Sequence, residues 1–220
     1  MNMKTHITFF ILTMLSIVVT AQTFQNGREY KAQNITYKCR VSSTESHRSS
    51  VRSKGIEPTW STGPNYFFYQ FSNVNNVLRG TNPMPAGTEY GITAPSAVFE
   101  SERRLLELLK EAYSGKEKMQ TMGDEVISLD FCVGMDGKVK EVQICIYSLN
   151  ENIKTTLLQV EAMERQIKER IRFNVYTDRS NANAIWTLAH VGYTISVIPD
   201  LLENKEVYDP IVSKKRKLED

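Results

Sequence analysis

Few side chains in this sequence are equipped for covalent or metal chemistry. The cysteines are Cys39, Cys132 and Cys145, and beyond the first few residues the histidines are His47 and His190. No second His or Cys stands at ligand spacing around either histidine, so the common zinc patterns are missing and no metal ligand is assigned. His47 falls in a Ser-rich run from Ser42 to Ser53 and reads as solvated. His190 shares a strand face with Trp186 and Leu188 and reads as half-buried and structural. A nucleophilic cysteine needs a nearby base and an electropositive setting. Cys132 has Asp130 beside it and Glu141 opposite, and carboxylates raise a thiol pKa rather than lower it. Neither a Gly-rich phosphate loop nor a Gly-Xaa-Ser-Xaa-Gly elbow is present, so no catalytic residue and no cofactor site is expected, and the chain is not expected to be an enzyme.

The other candidate chemistry is binding. Tyr66-Phe67-Phe68-Tyr69-Gln70-Phe71 could stack sugar rings, with Trp60, Tyr66 and Tyr69 as the site of a small ligand or glycan. A buried strand explains the same run with fewer assumptions. Asn34-Ile35-Thr36 matches a glycosylation sequon and Lys214 to Lys217 a basic targeting run, and both read as accidents of sequence.

The elements that would position these residues begin after an apolar leader. Lys4 is the one early cation, Ile7 to Ala21 carries no charge, and Val19-Thr20-Ala21 precedes Gln22. This is the layout of a cleavable secretion signal over residues 1–21, cut after Ala21, and the stretch is shorter than the ~20 apolar residues of a membrane-spanning helix. The expected location is the periplasm or the exterior, without stable membrane insertion. The formal charge of +2 falls to +1 once Lys4 is removed, which gives no reason to expect nucleic acid as a partner.

Residues 22–95 hold Pro58, Pro64, Pro83, Pro85 and Pro95 and show no helical period, so they read as an irregular, partly β lobe with strands near Ile35–Val41 and Tyr66–Phe71. From Ser96, taken as an N-cap, Phe99, Leu105, Leu106, Leu109 and Tyr113 recur at helical spacing until Gly115. Two alternating strands then flank Asp136-Gly137. With those two residues as the turn, Phe131 faces Val142, Leu129 faces Ile144 and Ile127 faces Ile146, and the apolar residues share one face. Cys132 and Cys145 then lie on the other face, four residues apart along the strand or roughly 13 Å, too far for a disulfide. Either Cys39 pairs with one of them or all three are free, and free thiols are favoured. A second helix follows an N-cap at Asn152, with a stripe of Ile153, Leu157, Val160, Met163, Ile167 and Ile171. Trp186 to Val197 reads as a third strand ended by Pro199, and residues 199–220 as a disordered tail.

Val126-Ile127-Ser128-Leu129-Asp130-Phe131-Cys132-Val133 followed by Asp136-Gly137-Lys138-Val139-Lys140-Glu141-Val142 resembles the core of the TonB C-terminal domain, and Ile167-Lys168 through Phe173 is similar to that family's helix end. The Pro-Xaa-Tyr-Pro entry segment, the proline-rich spacer and an inner-membrane anchor are missing, so energy transduction is not implied. The resemblance implies an α+β domain over 96–198: a three-stranded antiparallel sheet with two helices on one face, preceded by the irregular lobe. It also implies capture of an envelope protein or peptide, in extended form, at a sheet edge. Val191, Tyr193, Ile195 and Val197 are the expected edge. A homodimer through sheet edges is open as well.

Overall fold

The computed structural model describes residues 23–43, 66–81, 95–177 and 183–203, with the backbone of 207–209 and 214–216. The leader, His47 and Trp60 lie outside the described residues.

The sheet is larger than the sequence suggested. Strands β1 (Glu29–Lys31), β2 (Thr36–Ser43), β3 (Phe67–Asn73), β5 (Val126–Gly134), β6 (Val139–Ser148) and β8 (Trp186–Thr194) form one antiparallel sheet in the order β1-β2-β3-β6-β5-β8. The expected three-stranded sheet with a separate irregular lobe is therefore wrong. The strands read near Ile35 and Tyr66 exist, but β3 pairs with β6, with Phe71 opposite Ile144 and Tyr69 opposite Ile146. Together they extend the sheet that β5, β6 and β8 begin. A separate ribbon joins β4 (Ser96–Phe99) to β7 (Phe173–Tyr176), and β9 (Val207–Asp209) pairs with β10 (Lys214–Arg216) where a disordered tail was expected.

Among the described residues four helices accompany the sheet: α1 (Glu102–Ala112), α2 (Lys116–Gln120), α3 (Leu157–Arg170) and α4 (Ile198–Leu202). Ser96 opens β4 rather than a helix. The cap of α1 is Ser101, whose hydroxyl accepts from Arg104 N at 3.3 Å. Asn152 is likewise displaced by Thr156, which forms a reciprocal capping box with Gln159 at the start of α3. One face of the sheet carries Tyr37, Tyr69, Phe71, Ile127, Leu129, Phe131, Ile144, Ile146, Val191 and Tyr193, all buried against Leu105, Leu106 and Leu109 of α1 and Val160, Met163 and Ile167 of α3. Period-two alternation in the strands and steps of three and four in the helices are what bring these residues to a common core.

The β5–β6 register is the expected one, with Phe131 opposite Val142, Leu129 opposite Ile144 and Ile127 opposite Ile146. The turn that sets it is different. Gly137 N donates to Gly134 O and Gly134 N to Lys138 O, both at 2.9 Å, so the loop contains Met135, Asp136 and Gly137. Val133 faces Val139 while Cys132 faces Glu141, so Lys140 is the extra residue of a bulge that returns the strands to the apolar register. Lys140 Nζ then reaches Asp136 Oδ2 at 2.9 Å and holds that carboxyl below its usual range. Gly137 has φ +73°, and its position is also closed by packing: a Cβ there would lie 2.3 Å from Phe173 O, while Phe173 N donates to Gly137 O at 2.9 Å. The hairpin tip is thereby fastened to β7.

Two buried carboxylates tie the N-terminal strands to α3. Glu164 accepts from Tyr37 Oη at 2.7 Å, Asn73 Nδ2 at 2.8 Å and Lys168 Nζ at 2.6 Å. Glu161 accepts from Asn34 N at 3.0 Å and Asn34 Nδ2 at 2.8 Å, fixing the turn between β1 and β2. Burial pushes the Glu161 carboxyl up, but the donated hydrogen bonds from Asn34 and Ile35 outweigh it and hold the group below its usual range. The sequon asparagine is thus engaged as a structural donor.

Candidate functional site

The second face of the sheet and the open side of β8 carry the unusual groups. On the second face β5 and β6 present Ser128, Asp130, Cys132, Glu141, Gln143 and Cys145, and residues after β3 fold back over them. Glu141 accepts from Val77 N at 2.6 Å, Leu78 N at 2.8 Å and Arg79 N at 3.3 Å, so its carboxylate caps the short 3-10 turn Leu78–Gly80. Arg79 then reaches across β6 to Asp130 Oδ2 at 2.7 Å, and Asp130 Oδ1 lies 2.5 Å from His190 Nδ1 on β8. Between these groups lies a small cavity of about 90 Å³ lined by Ser72, Asn76, Arg79, Asp130, Cys132, Glu141 and Gln143.

This cluster does not activate its thiol. Cys132 is only 3% exposed, and burial first, then the Glu141 carboxylate, push its pKa up to about 11. The acidic neighbours legible in the sequence therefore act in the expected direction but are the smaller cause. Burial pushes Cys145 and Cys39 up to about 12. All three thiols are free and protonated near neutral pH. Cys39 faces Phe71 on the core side, away from the other two. Among the described residues no cluster of three or more His, Cys, Asp or Glu could hold a metal ion.

His190 departs from the half-buried structural role expected of it. Its side chain is 65% exposed, on the same face as Leu188, which is 54% exposed. The imidazole is steered by Asp130 and through it by Arg79, a chain of side chains on three separate elements that no local spacing reveals.

β8 is the last strand of the sheet, and among the described residues no strand pairs with its other side. Ile195 N donates to Glu125 O at 2.9 Å, which makes Glu125 and Ile195 a hydrogen-bonded pair. Such pairs alternate along an antiparallel ladder, so Tyr193, Val191 and Ala189 direct their main-chain groups at β5, and Gly192, His190 and Leu188 direct theirs outward. The β4–β7 ribbon lies at the start of β8, where the Thr187 hydroxyl donates to Pro95 O. Among the described residues the open stretch therefore runs from Leu188 to Gly192.

The expected edge residues sit differently from the expectation. Val191 and Tyr193 are in β8, but their side chains are in the core and their main-chain groups face β5. The strand ends at Thr194: Ile195 and Val197 belong to a 3-10 turn leading into α4, where Pro199 follows Ile198 in the first helical turn. Their even-numbered neighbours form the edge instead. The aromatic candidates are not brought together as an open platform. Tyr69 is 2% exposed, its hydroxyl donates to Glu151 O, and burial pushes its pKa up to about 12. Tyr66 is half-buried just before β3, and Phe68 packs on Tyr147 with ring centroids 4.9 Å apart.

No helix among the described residues is long and apolar enough to cross a membrane. No protein-family model matches the chain, and no curated protein does. Among solved structures, the chain is similar to a DUF5043 family protein from Bacteroides uniformis ATCC 8492, at 13% identity and a TM-score of 0.49, over 79% of this chain and 94% of that one.

Proposed function

We propose that this chain is an exported envelope protein whose folded part captures an extended peptide or protein segment along the open side of β8. The observation that carries the reading is the outward set of main-chain donors and acceptors at Leu188, His190 and Gly192, on a strand with no partner on that side among the described residues. Strand addition draws its affinity from main-chain hydrogen bonds and its selectivity from alternate side chains, and here the side chains offered to the ligand are Leu188 and His190. The resemblance of the β5–β6 hairpin to TonB C-terminal domains supports the same mode, and the leader Ile7–Ala21 supports export.

The glycan reading loses support because the burial of Tyr69 removes one of its three aromatic residues from any surface site. The test of peptide capture is selection from a displayed random-peptide library, followed by titration of the selected peptides against His190→Pro. That substitution deletes an outward N–H and leaves the ladder to β5 intact. Loss of binding in His190→Pro is expected. Peptides that bind the variant undiminished, or a selection that yields none, would overturn the proposal. For export, the exported protein should begin at Gln22 by mass spectrometry, and an intact Met1 would refute cleavage.

A further inference from the structure

We infer that β8 is complementary to itself, and that a second copy of this chain closes the same edge by antiparallel pairing centred on His190. The inference rests on reading β8 as an open edge and concerns what occupies it when no peptide is bound. A two-fold axis at the edge must set outward-pointing residues opposite outward-pointing residues, which a centre on any residue from Leu188 to Gly192 allows. A centre on Ala189 pairs Leu188 with His190 and leaves Gly192 opposite Trp186, and one on Val191 pairs His190 with Gly192 and leaves Leu188 opposite Thr194. Centring on His190 puts His190 opposite its own copy and Leu188 opposite Gly192 of the second copy. Residues directly opposite share a face of the sheet. The exposed Leu188 side chain then meets a residue with no side chain, above which there is room: a Cβ at Gly192 would meet only Ile127 O, at 3.5 Å. This happens twice by symmetry, so each leucine finds a place on the partner.

Centring on Leu188 instead would set two leucines against each other and carry the pairing toward Trp186, where the β4–β7 ribbon already lies. Centring on Gly192 would carry it past Thr194 into the 3-10 turn, where the strand has ended. The His190 register is the one in which the whole open stretch, Leu188 to Gly192, is paired and nothing beyond it is needed. The product is a continuous sheet of two six-stranded halves, with both helix layers on one side. Self-pairing and peptide capture compete for the same main-chain groups, so the protein's own concentration regulates access to the site.

The test uses single cysteines in the purified protein, whose native Cys39, Cys132 and Cys145 are buried. In the inferred register the two His190 Cα atoms are about 5.5 Å apart, within reach of a disulfide, whereas the two Leu188 positions are offset by four residues, roughly 13 Å. Under mild oxidation His190→Cys should cross-link into a dimer about tenfold or more faster than Leu188→Cys. Sedimentation across the micromolar range should show the wild type passing from monomer to dimer, with His190→Pro remaining monomeric. Equal cross-linking of the two variants, faster cross-linking of Leu188→Cys, a wild type monomeric throughout, or a dimer that survives His190→Pro would each overturn the inference. None of these readouts involves a peptide. A cross-linked His190→Cys dimer alongside an empty peptide selection would therefore refute capture and leave self-pairing standing.

Discussion

At one end of the sheet stands β1, three residues long, and at the other β8, nine residues long. The first edge is closed piece by piece. Where β1 is too short to cover β2, Gly27 N donates to Cys39 O and Cys39 N to Arg28 O, both at 2.8 Å, and Asn26 Oδ1 accepts from Val41 N at 3.1 Å. Glu29 and Lys31 put charge on its outer side, and Glu161 pins its turn to α3. These are the usual devices by which a protein keeps a strand from recruiting another chain. Among the described residues β8 has none of them between Leu188 and Gly192: no bulge, no proline, and an exposed leucine. The two edges thus differ in how they are treated, and the proposed function assigns the use to the open one.

That contrast can be broken from either side. The largest effect should come from Glu164→Ala, which leaves Tyr37 and Asn73 without their buried partner and cuts the N-terminal strands from α3. A loss of about 3 to 5 kcal/mol is expected in urea denaturation. Proline scanning of β8 should alternate. Val191→Pro removes a ladder bond to β5 and should cost about 2 to 4 kcal/mol, while His190→Pro costs markedly less, and equal costs would show the assignment of inward and outward groups to be wrong. Glu161→Gln should lose about 1 to 2 kcal/mol at neutral pH. Because its carboxyl is held below the usual range in the folded protein, its contribution is present above the unfolded pKa and is lost as pH falls through the lower folded value. The difference between wild type and Glu161→Gln should therefore shrink on acidification, as followed by thermal melts from pH 7 to about pH 3. The smallest effect on stability belongs to Leu188→Lys, within about 0.5 kcal/mol. It places a charge on the open edge in the manner of β1, and it should reduce self-association by light scattering.

How much of this was visible in the sequence follows the range of each interaction. The β5–β6 register was legible because alternation and a nearby Asp-Gly constrain each other. The three-residue loop was not, because Lys140 absorbs the extra residue in a bulge and leaves the apolar register as a two-residue turn would have set it. Ser96 and Asn152 were misread as caps because β4 is too short to show a period. The better capping signal, Thr156 with Gln159 three residues on, lay four residues past the first candidate. The partner of β3 could not be read at all, since nothing local in Tyr66–Phe71 names β6 as its neighbour. At the site, the odd-numbered residues of β8 drew the eye because they are apolar, and for the same reason they are in the core. The exposed His190 became intelligible only with Arg79, which arrives from a different part of the chain.

The pairing of β3 with β6 also sets a timetable. Asn73 leaves the ribosome 75 residues before Ser148, and at about 5 to 20 residues per second that is roughly 4 to 15 s. During this interval β2 and β3 can pair with each other, but the side of β3 that belongs to β6 has nothing native to meet. The molecule's third edge is therefore a temporary one, present only while the chain is being made. A pause in synthesis between β3 and β6 would lengthen the time in which misassembly competes.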